Sequence, residues 1–204
     1  VHLVPRTIAA ALGAELYMDS SLTHLIVEIG GGSTEIAVLS SYNIVSGKAV
    51  DVSGEGLDQA IISHIRSEYA LLIGPHQAQL LKYKLSEIGL LNPNEHIRVA
   101  GRCLRKGVPI QQKIPTTSLH DAIQPVLKKL AFAIQEVLED IPQPMRAHIQ
   151  DNGLMLTGGP AHMPQIQHAL KSYLKLPVLV APSPASCTIR GLGHVLDAPE
   201  LLPL

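Results

Sequence analysis

Two stretches of this chain run from an apolar strand into consecutive glycines, and they limit the fold more than any other feature. The first is Ile26-Val27-Glu28-Ile29-Gly30-Gly31-Gly32-Ser33-Thr34; the second is Leu154-Met155-Leu156-Thr157-Gly158-Gly159. An apolar run of this length suits a strand covered on both faces. Consecutive glycines let the backbone turn with positive φ and bring it close to a ligand, because no Cβ stands in the way. Amides converging at such a turn form an anion site. Ser33 and Thr34 add hydroxyl donors, and Glu28 points from the strand end towards the same place, where it can hold a cation through water. One such turn is usually only a hairpin. Two, each after a buried strand, suggest a single ligand gripped with phosphate on one side and a nucleoside on the other.

The rest of the chain reads as mixed α/β. Residues 8–14 form a small-residue helix ending near Gly13. Strands at 23–29, 34–39 and 44–52 make an antiparallel meander. Leu57, Ile61, Ile62, Ile65 and Tyr69 recur at helical spacing, and Ala78, Leu81, Leu85 and Ile88 form a second stripe after Pro75. Two short β runs, 96–100 and 108–114, flank a turn with Gly107. A long amphipathic helix covers 119–138, with Pro125 kinking it or marking its first turn. Then come a short helix to about 149, a buried strand at 153–157, a helix to 174, a strand at 177–181, a helix at 186–195 and a frayed tail at 199–204. Residues 1–65 and 116–204 form the larger sheet unit, and residues 66–115 a smaller insertion.

Composition narrows the function classes. Of 204 residues, 46% are apolar and only 16% charged, with a formal net charge of −1. That is too apolar for a disordered chain, and it gives no electrostatic reason to bind nucleic acid or an anionic membrane. Aromatics are 3%, with no Trp, which argues against a base-stacking platform. Cys103 and Cys187 do not form a disulfide framework, which favours a reduced, cytoplasmic setting. The ten histidines show no ligand spacing; His162 and His168, six apart, do not share a helical face. Cys187 reads as a buried small residue, and Arg190 as a structural pairing partner.

Residues 27–38 (VEIGGGSTEIAV) resemble the second phosphate loop of the actin-like ATPases, and more narrowly that of the MreB/Mbl family of bacterial actin homologues. Residues 8–14 (IAAALGA), 54–61 (GEGLDQAI), 99–102 (VAGR), 153–159 (GLMLTGG) and 187–193 (CTIRGLG) agree in the same order. Stretches 54–61 and 99–109 favour this family over a chaperone or sugar-kinase half of the same superfamily. The resemblance implies the second lobe of that fold, a ribonuclease H-like sheet unit carrying a small α+β insertion. Val1 stands at the start in place of Met, so the expectation is half of a two-lobed ATPase.

By resemblance, Gly30, Gly31, Gly32, Ser33 and Thr34 cradle the β- and γ-phosphates of ATP or ADP. Gly158 and Gly159 approach the ribose and α-phosphate, and residues 54–58 lie beside the nucleotide. Gln79 and Lys82 stand where the family places an acid and a lysine around adenine and ribose. Glu28 replaces the family's phosphate-loop Asp as the water-mediated holder of Mg2+, and Pro160 replaces a third glycine. Aligned on Ala9-Ala10-Ala11-Leu12-Gly13, the family's water-positioning Glu is Arg6 and the Pro after it is Thr7. Residues 1–7 contain no acid at all. The family further implies head-to-tail filaments, cell-shape and wall-synthesis machinery as partners, and membrane contact only through the other half. Weak or absent hydrolysis is expected of this chain. The alternative is a non-enzymatic, partner-binding or structural module that kept the fold after losing nucleotide chemistry.

Overall fold

The computed structural model describes residues 3–17, 22–89 and 95–198; the expected frayed tail lies outside them. The elements in order are α1 (Arg6–Gly13), β1 (His24–Ile29), β2 (Thr34–Ser40), β3 (Asn43–Val50), α2 (Gly54–Tyr69), β4 (Leu71–Leu72), α3 (Pro75–Ile88), β5 (His96–Cys103), β6 (Pro109–Pro115), α4 (Thr116–Glu139), α5 (Gln143–Asn152), β7 (Leu154–Thr157), α6 (Pro164–Leu174), β8 (Val178–Val180) and α7 (Cys187–Asp197).

Five strands form a mixed sheet in the order β3-β2-β1-β7-β8, with β1 at its centre. β1 pairs antiparallel with β2 and parallel with β7. Its side chains alternate between two covered faces, as a period of two dictates. Leu25, Val27 and Ile29 join one core with residues of α2, α4, α6 and the second sheet. Ile26 joins a separate core with Ile8, Ala10 and Ala11 of α1 and Cys187 and Val195 of α7. Glu28, two residues on from Ile26, therefore points into the α1–α7 layer.

That layer is held by backbone contact. A Cβ on Gly191 would lie 1.7 Å from the Ala9 carbonyl oxygen, and one on Gly13 would lie 1.8 Å from that of Cys187. Ala9, Ala10 and Ala11 are completely buried. Only glycine and alanine at these positions let the two helices approach so closely. Arg190 of α7 reaches across to Glu15 (2.5 Å), the structural pairing expected of it. Cys187 is buried, and burial pushes its thiol pKa up, as suits a packing residue rather than a nucleophile.

A three-stranded antiparallel sheet, β4-β5-β6, lies within residues 71–115. β4 has no counterpart in the sequence reading, because two residues are too few to show a period. It forms because Ala70, at φ 49°, turns the chain back after α2. Leu71 and Leu72 then lie against Cys103 and Arg102, and a Cβ on Gly101 would meet the Leu72 carbonyl at 2.6 Å. α2 runs through residue 66 without a break, and one continuous core joins Leu25 and Val27 to Ile73, Leu81, Val99 and Ile114.

Two further expectations need adjusting. α4 is one helix that already begins at Thr116, so Pro125 lies in its interior and marks neither its start nor its end. The proline removes one N–H from the ladder, and ten buried side chains along α4, from Thr116 to Val137, hold the helix together across it. After Gly158 the chain makes a 3-10 turn, Gly159–His162, before α6 starts.

Gly191→Ala should destabilise the fold by about 1–3 kcal/mol or more, because neither backbone can yield; urea denaturation reads this. A pH effect should come from His120 on α4. Gln124 Nε2 donates to its Nε2 (2.5 Å), while Tyr173 donates to Gln124 Oε1 (3.0 Å). Burial lowers the His120 pKa below its ordinary 6.5, outweighing the opposite pull of Asp121, and His168 adds to the lowering. The unfolded chain therefore binds this proton more readily than the folded one. This contribution to stability is full above pH 6.5 and falls as the pH drops through and below that value. Melting temperatures at pH 7.5 and 5.5 should differ more for the unmodified chain than for His120→Gln.

Candidate functional site

The first glycine turn joins β1 to β2 and lies on the start of α2. Gly54 and Glu55 donate backbone N–H bonds to the Gly30 and Gly31 carbonyls (both 2.9 Å). Gly56 donates to the Ser53 hydroxyl (3.1 Å), a side-chain N-cap, and Leu57 to the Ser53 carbonyl (3.0 Å). The amides at this helix start are thus spent inside the protein. Inside the turn, Gly30 donates to the Ser33 carbonyl. Gly31 and Gly32 are exposed, and a Cβ on either would meet nothing within 4 Å.

This corrects the expected reason for the glycines. Gly30, Gly31 and Gly32 are not among the positive-φ residues, so the backbone does not demand glycine there for its conformation. At Gly31 and Gly32 packing does not demand it either. What glycine provides at Gly31 and Gly32 is open space beside an exposed backbone. Thr34 also differs from expectation: it is completely buried and donates its hydroxyl to the Val52 carbonyl (2.6 Å), so that hydroxyl pins β2 and the start of α2 together.

The second turn divides its labour. Gly158 has φ +87°, and a Cβ there would meet the Ile29 carbonyl oxygen at 2.0 Å, so this glycine serves the fold. Gly159 meets nothing within 4 Å and is open like Gly31 and Gly32. The alignment of β1 with β7, Glu28 opposite Thr157, carries the two turns to the same end of the sheet.

A cavity of about 530 Å³ lies between them. Gly31, Gly159, Gln79 and Lys82 line it together, so four residues from three separate sequence motifs converge. Pro160 lines it too, packing its ring towards Gly54. A neighbouring cavity of about 940 Å³ takes in Gly32, Asp58, Gln79 and Pro125. Gly30, Ser33, Thr34 and Gly158 line neither.

Lys82 is not a solvated helix lysine. It is 6% exposed, and its Nζ donates to Asp58 Oδ2 and to the Gly54 carbonyl (both 2.8 Å). The other Asp58 oxygen is buried without a partner. α3, which carries Gln79 and Lys82, is held at its far end by Gln165. That side chain is fully buried and donates to the Leu85 and Gly89 carbonyls (2.7 and 2.6 Å). Nothing in the sequence marks Gln165, a glutamine in the first turn of an ordinary helix.

On the other face of the sheet, Glu28 and Glu35 stand directly opposite each other on β1 and β2. Like charges in that position repel. Arg6 settles the conflict. Its Nε lies 3.3 Å from Glu28 and 3.2 Å from Glu35. A basic residue at a helix start opposes the macrodipole, so local preference does not put arginine there; the two carboxylates do. Thr188 of α7 donates to the remaining Glu28 oxygen (2.6 Å). Burial raises the Glu28 pKa above its ordinary value, with the Thr188 bond and Arg6 pulling it down and Glu35 pushing it up. Glu35 was legible from strand register alone; Thr188, from α7, was not.

A divalent cation does not fit Glu28 as placed. One carboxylate oxygen accepts from a hydroxyl, and the other, which accepts no hydrogen bond, faces a guanidinium that would repel the ion. Among the described residues, no three His, Cys, Asp or Glu side chains gather as a metal site.

A mixed sheet with helices on both faces, and two glycine turns opening on one cavity at its end, defines a lobe of the actin-like fold. The chain belongs to the MreB/Mbl family: the family model described as MreB/Mbl protein matches residues 1–202. It is 34% identical over 200 residues to the cell shape-determining protein MreB of Escherichia coli K12, covering 97% of this chain and 57% of that protein. The chain thus spans little more than half the length of this relative. Among solved structures, MreB5 of Spiroplasma citri bound to AMPPNP superposes with a TM-score of 0.89 at 28% identity, over 96% of this chain and 59% of that one. The MamK double helical filament shares the fold, with a TM-score of 0.76 at 18% identity over 97% of this chain and 59% of that one.

Lys82→Met should cost about 3–5 kcal/mol, because it strands a buried carboxylate. Adding Asp58→Asn should recover part of that loss, and urea denaturation of the two variants checks it.

Proposed function

We propose that this chain is the nucleotide-gripping lobe of a cell shape-determining actin homologue, binding ATP or ADP and turning it over poorly. The observation that carries the reading is the cavity in which Gly31, Gly159, Gln79 and Lys82 meet, with three glycines open for reasons that neither φ nor packing explains. Phosphates would lie over the Gly31 and Gly32 amides, and the nucleoside between Gly159 and α3. The MreB5 relative, solved bound to AMPPNP and bound to ADP, supports this placement. Residues 66–115 then act as the smaller inserted unit that closes over the nucleoside.

Poor turnover follows from Arg6. Arginine stays protonated at neutral pH and cannot accept a proton from water. Losing a positioned base removes roughly 10²–10⁴ in rate. The nearest carboxylates, Glu28 and Glu35, are both held against its guanidinium.

Assembly into head-to-tail filaments, with the cell-shape machinery as partner and the cytoplasm as setting, is proposed from the family. Ile189 and Leu196, seven apart on α7, are 67% and 82% exposed, an apolar face available to another polypeptide. No helix among the described residues is long and apolar enough to cross a membrane. The Arg6–Glu28 contact also favours a second reading, a structural module that no longer binds nucleotide.

Thermal melting in ATP separates the two readings. Nucleotide at a hundred times its Kd should add about 2.7 kcal/mol of stability. No shift at millimolar ATP or ADP leaves the structural module. Phosphate release should be at least about 100-fold slower than from a relative that keeps the acid.

A further inference from the structure

Exchanging an acid for arginine at one position changes the local charge by two, the charge of one divalent cation. Resemblance places an acid at residue 6; this chain has arginine. With Glu28 and Glu35, the site now holds two negative charges and one positive, where an acid at residue 6 would leave three negative. We propose that Arg6 takes the electrostatic place of the divalent cation, so that the chain binds a nucleoside di- or triphosphate in metal-free form. This rests on the nucleotide-binding reading above.

Three observations support it. The guanidinium lies against the glycine turn, with Nη1 3.4 Å from where a Cβ on Gly30 would be. Its Nε and Nη2 are buried and make no hydrogen bond, since the contacts to the two glutamates are charge contacts without hydrogen-bond geometry. The Nη1 N–H beside the glycine turn suits a phosphate, a group that arginine recognises. Finally, the carboxylate that would hold a hydrated cation already has a hydroxyl on one oxygen and a guanidinium beside the other. An arginine also needs no water shell of fixed geometry, which removes the demand that a shorter acid at residue 28 would otherwise meet.

The test titrates the chain with fluorescent mant-ADP and mant-ATP, once in excess Mg2+ and once in EDTA. The expected result is a Kd that differs by less than about fivefold between the two conditions. Arg6→Glu should weaken binding in EDTA by at least about tenfold and recover when Mg2+ is added, while Arg6→Lys should stay closer to the unmodified chain. A fivefold or greater loss on EDTA in the unmodified chain overturns the role given to Arg6 and leaves nucleotide binding intact. No binding in either condition overturns the nucleotide reading and this inference with it. Because the unmodified chain decides between these outcomes, a variant that fails to fold does not blunt the test.

Discussion

The structure depends on how closely α1 and α7 approach. Gly13 and Gly191 let the two backbones touch, and the alanines of α1 leave no side chain to hold them apart. This contact lays both helices over the end of β1 that carries Glu28. Arg6 and Thr188 can then reach the same glutamate from two helices far apart in the chain. A bulkier residue at either glycine would lift the layer and separate the charges.

Beneath that layer is an electrostatic problem set by strand register. Glu28 and Glu35 are cross-strand partners, and two carboxylates side by side under helices need a counter-charge. A metal ion is one solution and an arginine is another; here it is arginine. The choice settles chemistry as well as stability, because a guanidinium can bind phosphate yet cannot take a proton from water.

The opposite face of the sheet carries the cavity. The Gly54 and Glu55 amides pin the glycine turn to α2, Thr34 holds the segment just before that helix, and Lys82 and Asp58 tie α2 to α3. Gln165 anchors the far end of α3 to α6. The cavity is therefore bounded by elements fixed by buried polar contacts. The same contacts explain why Lys82 is buried at a helix position that sequence alone equally allows to be solvated.

The sequence by itself determined the mixed α/β class, the central strand and the glycine turns, because hydrophobic period and glycine placement are local properties. Through the family resemblance it also marked Arg6 as out of place, since residues 1–7 hold no acid. Three things waited for the tertiary structure. β4 is too short to show a period and exists only because Ala70 turns the chain. The glycines of the first turn were expected to supply positive φ; instead Gly31 and Gly32 supply open space, and among the glycines of the two turns only Gly158 has positive φ. Thr188 and Gln165 look like ordinary helix residues until packing sets them against Glu28 and the end of α3. Long-range contacts of this kind are decided by which faces meet, and no local pattern in a single chain encodes that.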